Sequence, residues 1–154
     1  MIQTNKDIAY YYNQKANEML VSGNYIDATE YYKKALSHMP EEVIFYHNIG
    51  VGYMLREDYL KALTFFEIAV EKGLELDEIK LYIALSLYKT HQYAKILELL
   101  EPEENKNKID FLIIKSKAAL KVGNVQVARE AVNQLKINGF DSQELELIEK
   151  MIKI

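Results

Sequence analysis

Asn17 and Asn48 stand 31 residues apart. A carboxamide can donate to and accept from a peptide backbone at once, so two of them on one surface could hold a partner segment. The other chemistry-bearing residues are arranged for little. His38, His47 and His91 fall in different elements, and none has a second histidine one helical turn away, as a zinc site would require. There is no cysteine, which removes disulfides, thiolate metal sites and a cysteine nucleophile together. No nucleophile elbow, phosphate-cradling glycine loop or paired-carboxylate arrangement is present. Gly50 and Gly52 sit inside a helical stretch, where they serve close packing. The expectation is a chain without catalysis, metal or cofactor.

The elements that must place the two amides are set by a period. Tyr12, Ala16, Tyr25, Ala28, Tyr32 and Ala35, shifted by 34 residues, land on Tyr46, Gly50, Tyr59, Ala62, Phe66 and Ala69. A further shift of 34 takes Tyr59 to Tyr93, and one of 32 takes Tyr93 to Val125. Periods of this length mark solenoids, whose units cannot bury an apolar face alone. Within each period, apolar residues recur at three and four residue intervals, the mark of amphipathic helices. The pattern predicts helices over 7–21, 25–38, 41–55, 59–72, 77–90, a shortened one from Tyr93 to near Glu101, then 109–122, 125–137 and 142–153. Ser22-Gly23-Asn24, Arg56-Glu57-Asp58, His91-Gln92 and Gly123-Asn124 are the turns between paired helices. Pro40 and Pro102 end units, because the residue before proline is pushed out of helical geometry. Asp141 with Glu144 reads as a capping box for the last helix, and that helix covers the exposed end of the final unit.

These residues resemble the tetratricopeptide repeat (TPR) family over about residues 7 to 137. The second unit matches most closely, with Tyr46, Ile49-Gly50, Tyr53, Ala62, Phe66 and Ala69. The first has Tyr12, Ala16, Met19, Ala28, Tyr32, Ala35 and Pro40, with Lys15 where an aliphatic residue is usual. The third departs at Lys80 and Ile96, and the fourth has Leu112, Ser116 and Ala128. Small residues would let paired helices cross closely while aromatics fill the gap to the next unit. The resemblance implies an all-α, right-handed α-solenoid of about four helix hairpins plus a C-terminal capping helix. As one domain over 1–154, its units would be 9–42, 43–76, 77–108 and 109–140, with the cap over 142–153. It also implies a concave groove, lined by the first helix of each hairpin, that binds peptides or partner proteins.

On that scheme the groove residues are Tyr10, Asn13, Asn17, His47, Asn48, Val51, Tyr82, Leu85 and Tyr88, with Ile44, Met54 and Glu78 beside them. Tyr12, Tyr25, Tyr32, Tyr46, Tyr53 and Tyr59 are assigned to packing. One subtype of the family holds acidic chaperone tails in a carboxylate clamp of two asparagines and three cations. Asn17 and Asn48 fall on the amide places, but the cation places carry Asn13, Glu78 and Tyr82. A tail carboxylate would therefore meet Glu78 instead of a charge-assisted donor.

Composition narrows the partners. The 154 residues are 49% hydrophobic with two prolines and six glycines, enough for a continuous core and unlike a disordered chain. The net charge of −4 gives no reason to expect nucleic acid. The longest uncharged stretch, Val43 to Leu55, is shorter than the roughly 20 residues of a membrane span, and the start has no signal-peptide segment. A cytoplasmic protein is expected, from an AT-rich and bacterial genome by its Ile, Lys, Asn and Tyr usage. Glu101 to Glu104 and Lys106 to Lys108 are expected in a solvated loop. Three functions remain open. One is an adaptor that captures a segment of another protein. A second is a homo-oligomer built through the later units or the apolar tail of Leu145, Leu147, Ile148, Met151, Ile152 and Ile154. The third is an accessory repeat region of a larger enzyme or regulator.

Overall fold

The computed structural model describes residues 4–153, all of whose regular elements are helices: α1 Asn5–Val21, α2 Tyr25–His38, α3 Val43–Leu55, α4 Tyr59–Glu71, α5 Asp77–Lys89, α6 Tyr93–Ile96, α7 Asn105–Lys121, α8 Val125–Ile137 and α9 Gln143–Lys153. Two compact units divide the chain, one up to Glu75 and one from Leu76.

In the first unit α1 packs on α2, α2 on α3 and α3 on α4. α1 begins two residues earlier than its apolar pattern. Thr4 Oγ1 accepts from the Asp7 amide at 3.1 Å, and the Asp7 carboxylate accepts from the Thr4 amide at 3.2 Å, a reciprocal capping box. α3 begins two residues later than expected, at Val43. Ala16, Ala28, Ala35, Ala62 and Ala69 are fully buried, as the periodic small positions require. The two helical glycines mark the closest approaches. A Cβ on Gly50 would stand 2.6 Å from the Phe66 ring, and one on Gly52 would strike Thr29 Oγ1. Gly50 thus makes room for Phe66 of α4. At the outer end Ala9, Ala35 and Phe45 pack with Tyr12, Leu36, Met39 and Ile44.

In the second unit α7 packs on α5 and α6, α8 on α7, and α9 on both α7 and α8. α6 is a single turn, shorter than expected, and continues in i to i+3 bonds from Leu97, Glu98 and Leu99. Ile96, fully buried at a position where other units have alanine, is too large for a long helix to cross closely there. α7 starts at Asn105, so Lys106 to Lys108 lie in its first turn and outside the expected loop. Its start is held by Asp77 of α5, whose carboxylate accepts from the amides of Glu103 (2.6 Å) and Glu104 (3.0 Å) and from Asn107 Nδ2 (3.1 Å). Glu101 is no surface charge either: it pairs with Lys115 at 3.2 Å, both side chains no more than a quarter exposed.

α9 covers the fourth hairpin through Leu145 and Ile148, which join Leu112, Ala131, Val132 and Leu135. Two ion pairs tie it down, Lys117 to Glu144 at 2.7 Å and Lys136 to Glu149 at 2.6 Å. Its cap is Ser142, whose Oγ accepts from the Leu145 amide at 3.1 Å. The capping box expected from Asp141 and Glu144 therefore does not form, because the helix starts one residue later and Glu144 faces Lys117. Ile154 lies outside the described residues.

The four hairpin turns share one constraint. Gly23, Glu57, His91 and Gly123 occupy the same place in successive units, and all have positive φ, at 84°, 61°, 60° and 76°. That conformation costs little for glycine and about 1–2 kcal/mol for a residue with a Cβ. Glu57→Gly should therefore raise the unfolding free energy by about 0.5–1 kcal/mol. Urea denaturation measures it, and a loss of stability would contradict the turn assignment.

The amides at the start of α7, that of Glu103 foremost, hold the Asp77 carboxyl below its ordinary value of 3.8. Since the folded value is the lower one, this contribution to stability is present above pH 3.8 and is lost as pH falls through the folded value. Asp77→Asn should flatten part of the acid limb of stability against pH. A limb identical to that of the wild type would contradict this account.

Candidate functional site

α1 and α3, the first helices of the first two hairpins, meet through polar groups. Asn48 Nδ2 donates to Asn13 Oδ1 at 2.8 Å. Tyr10 donates from its hydroxyl to Glu42 Oε2 at 2.9 Å and sets its ring edge-on to Phe45, with centroids 5.8 Å apart. One turn further along α1, Asn17 Oδ1 accepts from the Tyr32 hydroxyl of α2 at 2.6 Å. Tyr32 is buried, and burial pushes its hydroxyl up to about 12, so it stays a donor.

These bonds leave capacity unspent. Among the described residues Asn13 keeps its N–H pair, Asn48 its carbonyl oxygen and Asn17 its N–H pair. Asn13 and Asn48 are half-buried and Asn17 is exposed. The row can therefore offer donors and an acceptor to a partner while its geometry is fixed from behind.

Of the nine residues expected in a groove, Tyr10, Asn13, Asn17 and Asn48 form this row, and Val51 lies half-buried on α3. The structure departs from expectation at His47. It is only 3% exposed, and its ring lies 5.6 Å from that of Phe66, on the packed side of α3. The reason is legible in α3 itself, which carries no charged residue and buries seven of its thirteen. Met54, placed beside the groove in the sequence scheme, is buried as well.

Tyr82, Leu85 and Tyr88 belong to the second unit, all half-buried on α5. Burial, and then the charge of Glu78, holds the Tyr82 hydroxyl above its ordinary value. Tyr88 packs edge-on to Tyr93 at 5.2 Å, with Lys117 Nζ 5.7 Å over its ring, so it also serves the packing of α5 on α6 and α7.

The packing tyrosines are placed as expected: Tyr32 and Tyr53 are buried, and Tyr12, Tyr25, Tyr46 and Tyr59 are half-buried. Repeat spacing did not reveal how cations cover them. Lys33 Nζ, Arg56 Cζ and Lys61 Nζ lie 5.0, 5.0 and 5.5 Å from the Tyr53 centroid. Lys34 lies 4.5 Å from that of Tyr31. The three-residue step from Tyr31 to Lys34 was available in the sequence; the cations around Tyr53 come from three different elements. Among the described residues no group of His, Cys, Asp and Glu is placed to hold a metal ion, and no helix is long and apolar enough to cross a membrane.

Helix hairpins of this length, with small residues at the crossings and a shared left-handed turn, define the TPR fold, and the chain has that fold. It is similar to the structure of pilF of Pseudomonas aeruginosa, with a TM-score of 0.70 and 19% identity over 92% of this chain and 66% of that one. It is also similar to YrrB, described as a TPR protein with an unusual peptide-binding site, with a TM-score of 0.60 and 20% identity over 92% and 84% of the two chains. The TPR2B domain of yeast Sti1, in its complex with pHsp70, matches with a TM-score of 0.57 and 17% identity over 82% and 97%. At these identities the likeness is one of fold, and the chain spans just under two thirds of the pilF structure. No protein-family model and no curated protein sequence matches the chain.

The bond to Tyr32 gives Asn17 a structural duty. Asn17→Ala would leave a buried hydroxyl without its acceptor and should cost about 1–3 kcal/mol. The double variant with Tyr32→Phe should regain most of that loss. Equal stabilities for the single and double variants in urea unfolding would show that the bond carries nothing.

Proposed function

We propose that this chain is a non-catalytic scaffold that binds a segment of another protein on the face that α1 and α3 form in the first unit. The observation that carries this is the amide row of the first unit. Asn13 and Asn48 are held against each other at 2.8 Å with donors and an acceptor to spare, next to the exposed ring of Tyr10. Tyrosine offers large contact area at low rotamer cost, and paired carboxamides fit the alternating donors and acceptors of a peptide backbone. Two of the similar structures support this by the words that describe them, a peptide-binding site in one and a pHsp70 complex in the other. Val51 extends the face in the first unit. In the second unit, taken by itself, Tyr82, Leu85 and Tyr88 would give α5 a face of its own.

A homo-oligomer is the second reading. It rests on Leu147 and Met151 of α9, which are 59% and 58% exposed one helical turn apart.

The test removes both amides of the pair together. Deleting one partner strands the other, whereas deleting both is close to neutral for folding. The Asn13→Ala, Asn48→Ala variant should keep its unfolding midpoint and lose about tenfold or more in affinity for a protein that the wild type captures, in line with two lost hydrogen bonds. Unchanged affinity for the same partner, at unchanged stability, would move the binding surface elsewhere.

A further inference from the structure

The charge of the chain is not evenly spread. Up to Glu75 there are 7 basic and 11 acidic residues, and from Leu76 there are 12 of each, so the first unit carries the whole net charge of −4. Moreover, six of those seven basic residues are used in packing. Lys15, Lys33, Lys34, Arg56, Lys61 and Lys72 each lie within 5.8 Å of a tyrosine centroid. A cation over an aromatic ring is attracted by the ring quadrupole, and here that interaction is the rule.

Among the described residues of this unit Tyr10, Tyr25, Tyr32 and Tyr59 have no cation over the ring, and of these four Tyr10 alone is exposed. Two tyrosines of this unit are exposed, Tyr10 at 41% and Tyr11 at 57%. Tyr11 has Lys15 over its ring, whereas Tyr10 has a carboxylate at its hydroxyl and, among the described residues, no cation over its face. Glu42 forms no ion pair among the described residues. The seventh basic residue, Lys6, is one turn from Tyr10 on α1 and makes neither a ring contact nor an ion pair among them. An exposed ring with a carboxylate beside it, pinned by a hydrogen bond of 2.9 Å, is the arrangement that receives a cation. It adjoins the amide row, and α3 beyond it has no lysine or arginine to compete.

We propose that Tyr10 and Glu42 form a seat for a lysine or arginine side chain of the bound protein segment, so that the first unit selects basic partners. The ammonium or guanidinium lies over the open face of Tyr10 and pairs with the Glu42 oxygen that Tyr10 does not use. The apolar stem of the same side chain runs along the ring. This rests on the scaffold function proposed above and assigns that surface its charge preference.

The experiment uses the whole chain, immobilised, and a synthetic pool of short random peptides, read out by sequencing those retained. The wild type should retain peptides enriched about five- to tenfold in Lys and Arg at one position, as a ring contact plus an exposed ion pair would give. The enrichment should fall as salt rises towards molar, where surface charges are screened. It should vanish for a lysine-acetylated pool with arginine omitted, which keeps the stem and removes the charge. Glu42→Gln should retain peptides without the preference, and Glu42→Lys should reverse it towards Asp and Glu. Thermal unfolding of each variant shows that the fold is kept. Peptides retained with no charge preference, or with the same preference in Glu42→Gln, would overturn the cation seat and leave the scaffold standing. Retention of no peptide by any variant would overturn both.

Discussion

The close approach of α3 to its neighbours is the constraint on which the first unit depends. No side chain fits at Gly50, where the Phe66 ring of α4 stands, or at Gly52, where Thr29 of α2 stands. Thr29 is itself held, its hydroxyl donating to the Tyr25 carbonyl at 2.7 Å. Two missing side chains thus let a single helix lie tightly against both of its partners. Packing at this density transmits position, since interiors yield little. With α3 fixed in this way, Asn48 comes within reach of Asn13, and Phe45 within reach of Tyr10. A helix free of charge and largely buried can then offer polar atoms at the few positions that face α1.

In the second unit the small-residue pattern lapses at Ile96, and the packing changes with it there, while Ala84, Ser116 and Ala128 keep it elsewhere. Ile96 occupies a place where alanine would admit a long helix, and α6 stops after one turn. Other interactions then hold the segment between α6 and α7. Asp77 gathers the amides of Glu103 and Glu104, and the Glu101 to Lys115 pair closes the far side. Pro102, buried in the same stretch, removes one donor that would otherwise need a partner. Polar contacts here do what close helix packing does in the first unit. They leave the unit sensitive to acid through a carboxylate whose charge is needed.

The fold was legible in the sequence wherever it depends on periodicity. The spacing of Tyr12, Ala16, Ala28 and Ala35 and of their counterparts 34 residues on identified the hairpins and the buried alanines, and Gly23 and Gly123 marked turns that Glu57 and His91 share. The misplaced features depend on contacts between residues distant in sequence. Asp77 caps a helix 26 residues away, and no local pattern around Glu103 reveals it. The start of α9 moved by one residue because Ser142, with Lys117 drawing off Glu144, outcompeted Asp141. The polar row between α1 and α3 was legible in part. The face carrying Tyr10, Asn13, Asn17 and Asn48 is set by helical spacing alone. His47 was misjudged because position on a helix shows which way a side chain points, and not that a helix as apolar as α3 is covered on most sides. The partners of the amides, Tyr32 for Asn17 and Asn13 for Asn48, were hidden for the same reason. Each of these asparagines spends part of its hydrogen-bonding capacity inside the fold.

The surface on α1 and α3 thus depends on where α3 lies, and that depends on two glycines in the middle of a helix. The most direct measurement is the urea unfolding free energy of Gly52→Ala. Helix propensity alone favours the variant by about 1 kcal/mol, since glycine is the poorer helix former. The close approach of Thr29 reverses the sign, and a loss of about 1–3 kcal/mol is predicted, the usual cost of overpacking. A gain in stability would contradict the account, because it would show that α3 has room to spare and that the amide row is not held in place by it.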